Sequence, residues 1–424
     1  MAVLTSVLVP PAPNPVDLLF HVAGKFASHQ EAAPNVGVVL HLTGDAPALA
    51  DLRARLAERL HRLPCLTHVL TDGTADDTPP RWTPTAPDLD THVGRLTVSG
   101  RLDDTVRELL HRPLPTDAPA WHLTLLTGHA PRRYALALIT THAVQDAANL
   151  VTVVETLLAP EDTATEDTSD RQLTPPTPRQ LLDTTAHIWR STRPHHLWTD
   201  PEHPLSGRRH VVWQKVPTRL LKDTAQAYGA TSNDVHLAAL AHAVRRWAAE
   251  HRPAADRDPL PLMLPVNLRT PEETALPGNR FFLARLDLPG GPMTPARRLT
   301  RTRAATAPLR DPDHRRTLYR MIRQEPDQYA QLIAHTTAPG SLTVVGSIFR
   351  VPGRLSLDGD PVDRVVPIIC CPDGFPLTVG LFLYGDTSTA SFQIDRSLPG
   401  AEEIPDRWRA AIDDMAACAP GADR

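Results

Sequence analysis

A mixed α/β protein of two lobes is the fold class that the sequence predicts, on three observations. The chain has 424 residues, enough for two domains or two lobes of one fold. Each half mixes apolar runs of strand length with segments whose apolar residues recur at helical spacing. Between the halves, residues 159–180 (APEDTATEDTSDRQLTPPTPRQ) are acidic and rich in Thr and Pro, the composition of a linker or mobile loop. The expected boundaries are 1–158 for the first lobe, 159–209 for the crossover and 210–424 for the second lobe.

The elements follow in order. After a proline-rich start comes a short apolar segment at 14–26 (NPVDLLFHVAGKF). Val36–Leu42 reads as a strand, and Pro47–Leu63 as a helix with Leu49, Leu52, Leu56 and Leu60 on one face. Val93–Val98, Trp121–Leu126 and Tyr134–Thr140 read as strands, with a short helix at Leu102–His111. The last strand runs into T-H-A-V-Q-D-A at 141–147, after which Leu150, Val153, Val154, Leu157 and Leu158 recur at helical spacing. A helix at Leu181–Thr192 and an irregular stretch to Arg208 complete the crossover.

The second half opens with a strand, His210–Val216, and a helix, Arg219–Tyr228, ended by Gly229. In the helix that follows, Thr231 and Asp234 stand in a capping-box arrangement, and Leu237, Leu240, Ala241, Val244 and Ala248 form its buried stripe. Strands are expected at Leu260–Leu268 and Phe281–Leu288, an arginine-rich helical region at Pro295–Arg323, then strands at Leu342–Phe349, Val365–Cys370, Leu377–Tyr384 and Thr389–Ile394. Pro405–Met415 reads as a closing helix.

Composition narrows the function. Hydrophobic residues at 41% supply a large core and exclude wholesale disorder. A net charge of −4 and 5% aromatics leave neither a basic footprint nor stacking platforms for nucleic acid. Cys65, Cys370, Cys371 and Cys418 form no C-x-x-C, and without a signal peptide they read as reduced thiols in a cytoplasm. No apolar run approaches the ~18 residues of a membrane span, so a soluble or at most peripheral protein is expected. No two of the 20 histidines are three or four residues apart, so no helix presents an H-x-x-x-H pair and no metal site is assigned.

The chemistry-bearing stretch is THAVQDA. A histidine at a strand end is a sound general base, because its ordinary pKa lies near neutrality. His142 is thus either a base or an ordinary histidine beside a helix cap. Asp146 suits a helix N-cap, or a buried partner for an arginine that holds the loop. A second string, His195, His196 and Asp200 in HHLWTD, is the better match to H-H-x-x-x-D, but Pro194 and Pro201 flank it and no apolar strand leads in. It reads as an exposed crossover loop with a buried Trp198.

Seven segments in order carry a resemblance: NPVDLLFHV, RWTPTAPDLDTHV, RPLPTDAPAWHLTLL, THAVQDA, PLSGRRHVV, SNDVHLAALAHAVRRW and LPLMLPVNLRTPEE with LPGNRFF beyond it. Together they resemble the wax ester synthase/diacylglycerol acyltransferase branch of the H-H-x-x-x-D-G acyltransferase superfamily, which also holds chloramphenicol acetyltransferase and nonribosomal peptide condensation domains. The resemblance implies two chloramphenicol-acetyltransferase-like lobes forming a V, with a tunnel between them and His142 at its middle. It implies a His142 base that deprotonates an acceptor hydroxyl or amine, which attacks an acyl thioester. No bound cofactor is implied; the donor is an acyl-CoA or a phosphopantetheine thioester on an acyl or peptidyl carrier protein, and the acceptor is a small molecule.

Asp146 is then structural, with Arg269 of VNLR as its candidate partner, and Asn233 and Asp234 match the family's Asn-Asp pair. Thr141 replaces the motif's first histidine, and Ala147 replaces its glycine, which alanine can do only at negative φ. TVVGS at 343–347 and VPG at 351–353 split the features of a later Asn-Val-Pro-Gly element. The arginines of 295–323, with Arg297, Arg298 and Arg301 foremost, read either as a solvated helix face or as a docking surface for an acidic carrier or the phosphates of coenzyme A. Alternatives to catalysis are a relative that binds an acyl or carrier ligand without turnover, or the same fold used for cyclisation or isomerisation. Low aromatic content weighs toward a specialised-metabolite substrate over storage lipid.

Overall fold

The computed structural model describes residues 10–73, 79–158, 204–253, 259–338 and 341–420, with 177, 179, 186, 195, 197, 198 and 200. The linker expected at 159–180 and the helix expected at Leu181–Thr192 lie almost wholly outside the described residues. The first half runs α1 (Pro15–Lys25), β1 (Asn35–Thr43), α2 (Leu49–Arg59), β2 (His68–Thr71), β3 (Arg81–Pro84), α3 (Leu89–His92), β4 (Val93–Thr97), α4 (Leu102–Leu110), β5 (Trp121–Ala130), β6 (Arg133–Thr141) and α5 (Ala147–Leu158). The second half runs β7 (Arg209–Pro217), α6 (Thr218–Ala227), α7 (Ser232–His251), β8 (Leu260–Asn267), β9 (Phe281–Leu288), α8 (Pro295–Thr306), α9 (Pro312–Gln324), α10 (Pro326–Thr336), β10 (Val344–Arg350), β11 (Ser356–Leu357), β12 (Asp360–Ile368), β13 (Leu377–Leu383), β14 (Thr387–Asp395) and α11 (Ile404–Ala417).

Local chemistry explains where the helices begin and end. Asn14 caps α1 and Thr231 caps α7, each in a full capping box closed by an aspartate three residues on. Gly229 ends the turn after α6 with φ +56°, a left-handed conformation that glycine takes without steric cost. The middle of α7 is buried on all sides from Val235 to Ala241, because it lies under β10 and between α8 and α11 rather than on a surface.

Two mixed six-stranded sheets organise the chain, in the orders β11-β12-β1-β6-β5-β4 and β7-β14-β13-β10-β8-β9. A separate hairpin of β2 and β3, absent from the sequence reading, sits beside the first. Strand β12 belongs to the second half in sequence yet pairs antiparallel with β1, Gly37 opposite Ile368 and Leu40 opposite Val365. The sheets therefore do not follow a boundary at residue 210. Strand β6, flanked by β1 and β5, is buried on both faces, which is why it reads as an unbroken apolar run ending at the motif.

Candidate active site between the two sheets

Strand β6 ends at Thr141 and α5 begins at Ala147, so the motif is a five-residue loop between them. Its backbone folds back on the strand end: the Val144 and Gln145 N–H groups donate to the Thr141 carbonyl at 3.1 and 3.2 Å. The Thr141 hydroxyl accepts from the Ala143 N–H at 3.3 Å, so the threonine in place of the first motif histidine shapes the turn. Ala147 is the first helical residue and is absent from the positive-φ positions, so the backbone accommodates alanine there.

His142 is fixed at both ends of its peptide. Its N–H donates to the Pro34 carbonyl at 2.7 Å, and its carbonyl accepts from Asn279 Nδ2 at 2.8 Å. The ring stacks on Phe20 at 4.1 Å and 7°, and Phe281 meets it edge-on at 5.9 Å. Nδ1 is buried and has no hydrogen-bond partner among the described residues. Burial holds the imidazole pKa below its ordinary 6.5, only partly offset by the Asp146 carboxylate and Asn279. The neutral ring, the form that accepts a proton, is thus favoured at neutral pH.

Both carboxylate oxygens of Asp146 are engaged within the protein. Oδ1 accepts from the Asn149 N–H at 2.8 Å, the N-cap bond of α5, while Oδ2 accepts from Arg269 Nη2 at 2.8 Å and the Arg280 N–H at 3.0 Å. Burial pushes its carboxyl pKa up, but Arg269 and the N–H donors outweigh this and hold it below 3.8. Arg269 also donates to the carbonyls of Glu273, Leu276 (3.1 Å) and Gly278 (2.6 Å). The stretch from β8 to β9 is wound around one guanidinium and pinned to the motif loop.

Asp17, Asn279 and Phe20 are contributors that the sequence reading did not single out. Fully buried Asp17 closes the capping box of α1 by accepting from the Asn14 N–H at 2.8 Å. Its other oxygen accepts from the Asn279 N–H at 2.6 Å and Nδ2 at 2.9 Å, the same Nδ2 that holds the His142 carbonyl. Burial raises its pKa from 3.8 to about 6 despite Arg280 nearby. Gly278 must be glycine: its φ is +92°, and a Cβ there would stand 2.8 Å from Asp17 Oδ2. The legible signals were the N-x-x-D spacing of Asn14 and Asp17 and the LPGNRFF segment that contains Asn279; neither showed that the two meet.

The ring of His142 opens on a cavity of about 240 Å³ between the two sheets. Phe20 and Val36 line it from the first half, and Phe281, Leu283, Val345 and Phe349 from the second, so the wall is overwhelmingly apolar. A histidine on the wall of an apolar cavity suits proton transfer to or from a substrate oxygen, nitrogen or sulfur.

The other sequence candidates lie elsewhere. Asp234 is fully buried and bound by Thr231, Thr306 and Arg310, the last at 3.0 and 3.1 Å. Asn233 lines a second cavity beside the first. Arg298 cannot dock a donor: it is 1% exposed and its guanidinium is spent on the Pro289 and Gly291 carbonyls. Arg297 and Arg301 are exposed on α8 and line neither cavity. In the HHLWTD string the crossover is docked rather than exposed. Leu197 and Trp198 are buried, Trp198 stacks on Trp247 at 5.0 Å, and Asp200 pairs with Arg252 at 2.9 Å. His195 lines neither cavity, and among the described residues no cluster of three His, Cys, Asp or Glu could hold a metal ion.

Two mixed sheets with an interfacial cavity and a histidine at a strand end define the two-lobed chloramphenicol-acetyltransferase-like fold, and comparisons with solved structures agree. The starter condensation domain of rhizomide synthetase, in complex with C8-CoA and Leu-SNAC, superposes with a TM-score of 0.70 at 14% identity, covering 98% of this chain and 95% of that one. The wax ester synthase/diacylglycerol acyltransferase from Marinobacter aquaeolei VT8 gives 0.62 at 18%, covering 96% and 100%. Residues 14–199 match the family model of the wax ester synthase/diacylglycerol acyltransferase catalytic domain. A Mycobacterium tuberculosis protein named as a candidate diacylglycerol O-acyltransferase is 27% identical over 352 residues, 70% of this chain and 69% of that protein. A second such protein is 26% identical over 381 residues, covering 83% and 79%. Over residues 14–199 the chain thus matches the wax ester synthase/diacylglycerol acyltransferase catalytic domain, and its fold is that of the wax ester synthase and of condensation domains, with the motif written THAVQDA. No helix among the described residues is long and apolar enough to cross a membrane.

Proposed function

We propose that this acyltransferase-family protein moves an acyl group from a coenzyme A or carrier-protein thioester to a hydroxyl or amine, with His142 as the general base. The observation that carries the reading is the His142 ring on the wall of the interfacial apolar cavity, where burial holds its pKa below the ordinary 6.5. Nε2 takes the proton of the acceptor, the freed lone pair attacks the thioester carbonyl carbon, the C–S bond breaks, and the imidazolium returns the proton to the departing sulfur. The apolar wall holds the acyl chain and excludes the water that would hydrolyse the donor. Asp146, Arg269, Asp17 and Asn279 hold the loop. The four free cysteines, three of them buried, suit a reducing cytoplasm.

The test is thiol release from a panel of acyl-CoA and acyl-carrier thioesters with alcohol and amine acceptors, for the parent protein and His142→Ala. Acceptor-dependent release that falls by about 10²–10⁴-fold in the variant is expected for a general base. Equal turnover by the variant refutes the assignment.

A further inference from the structure

Strands β10 and β13 run parallel side by side, with Val345 opposite Thr378 and Ser347 opposite Gly380. Alternation turns Val345, Ser347 and Phe349 of β10, and Thr378 and Phe382 of β13, onto the wall of the cavity at His142. Valine and phenylalanine match that apolar wall; the two hydroxyls do not. Both are deeply buried, Ser347 at 6% exposure and Thr378 at 8%. Ser347 Oγ donates to the Val379 carbonyl at 3.3 Å, which spends its proton and leaves its lone pairs. Thr378 Oγ1 has no hydrogen-bond partner among the described residues. Two polar neighbours are committed elsewhere. Across the strand pair, the Gln393 amide donates to the Ile369 carbonyl, and the nearby Cys371 thiol donates to the Phe375 carbonyl at 3.5 Å. A further hydroxyl on this wall, Thr337, does what a structural one does and donates to a backbone carbonyl, that of Ile333, at 2.8 Å. An unmet buried donor is costly, and valine, with the same shape, would avoid the cost at 378.

Resting on the acyl-transfer reading above, we propose that Ser347 and Thr378 read a hydroxyl group on the substrate chain held in this cavity. The substrate oxygen accepts from Thr378 Oγ1 and its proton goes to Ser347 Oγ, so one group meets both side chains. A ketone can only accept and meets Thr378 alone. A methylene meets neither and leaves Thr378 unmet. The cavity therefore ranks hydroxyl above ketone and ketone above plain alkyl at one place along the chain. The hydroxyl is borne either by the acyl chain of the thioester or by the acceptor; both present the same group to the two strands.

The experiment measures binding to the whole protein by calorimetry, apart from turnover. One series is octanoyl-CoA with its hydroxy and keto derivatives at successive carbons; the other is octan-1-ol with the octanediols and hydroxyketones. The proteins are the parent, Thr378→Val and Ser347→Ala. At one chain position the hydroxyl should bind about three- to tenfold more tightly than the plain chain, with the ketone between them. Thr378→Val should abolish the gain and tighten the plain chain, and Ser347→Ala should erase the advantage of hydroxyl over ketone. A gain in the thioester series assigns the hydroxyl to the acyl chain, and one in the alcohol series to the acceptor; both support the site. The urea midpoint of Thr378→Val should be no lower than the parent's, since no internal hydrogen bond is lost. A lowered midpoint, a plain chain that binds tightest throughout both series, a gain that survives both substitutions, or no binding of any probe overturns the proposal. Acyl transfer without a hydroxyl preference leaves the acyl-transfer reading standing alone. A hydroxyl preference in binding without transfer to any acceptor refutes that reading and leaves this site.

Discussion

Replacing Asp146 with alanine removes the acceptor of three hydrogen bonds at once, from the Asn149 N–H, the Arg280 N–H and Arg269 Nη2. The Arg269 side chain is 2% exposed and would be left charged without its counterion. Breaking a buried ion pair by removing one partner costs about 3–5 kcal/mol, and the lost N-cap of α5 overlaps with a further ~1 kcal/mol. Arg269 keeps its three carbonyl acceptors, which places the expected loss near the low end, about 3 kcal/mol. That is a large share of the ~5–15 kcal/mol that holds a typical protein folded.

Urea unfolding followed by tryptophan fluorescence reads this out, with Arg269→Met and the double variant completing a cycle. Each single change should lower the midpoint markedly, and the double variant should lose less than the sum by about 1–3 kcal/mol, because the unpaired charge exists only in the singles. Strict additivity, or an Asp146→Ala midpoint equal to the parent's, refutes the structural role. Loss of turnover at unchanged stability would place Asp146 in the chemistry instead. The pH dependence carries the same sign: a carboxyl held below 3.8 contributes stability that is present above that value and lost as pH falls through its depressed folded value.

Three more outcomes are expected. Because burial holds the His142 pKa below 6.5, the acid limb of kcat/KM should lie below that value, and Phe20→Ala, which unstacks and hydrates the ring, should move it upward; a parent limb at or above 6.5 contradicts the buried neutral base. Gly278→Ala combines a left-handed φ of +92° with a Cβ 2.8 Å from Asp17 Oδ2, so denaturation should show a loss of about 1–3 kcal/mol. Asp17 titrates near 6 when folded against 3.8 as its model value, so it binds the proton more tightly when folded. Its contribution to stability should fall as pH rises from about 4 to 6 and then stay level, and Asp17→Asn should remove that slope from a series of urea midpoints, leaving a constant offset.

What the sequence shows and hides follows from range. Periodicity exposed the strand ending at Thr141 and the helices at 147–158 and 232–251, because an element's pattern is local. It could not place β12, whose residues look like any strand of the second half while their partner, β1, lies more than 300 positions away. It missed α10 for a different reason: the arginine run before it dominated the reading, and only Tyr329, Ile333 and Thr336 are buried along its length. Asn279, 137 residues from the histidine whose carbonyl it holds, lies in the LPGNRFF segment of the resemblance, but no local spacing marked what it holds.

The aspartates show why the site was half legible. Asp17, Asp146 and Asp234 each stand at a helix start, where spacing alone suggests a cap, and each does cap. In each, one oxygen serves that local duty while the other reaches a distant partner: Asn279 for Asp17, Arg269 for Asp146, and Thr306 and Arg310 for Asp234. A carboxylate has acceptor sites enough for both tasks, where a serine or threonine cap has a single oxygen. An aspartate cap can thus tie the helix start to a second element as well: Asp234 ties it within its own half, while Asp17 and Asp146 tie it to the opposite half of the chain, where the His142 loop is held.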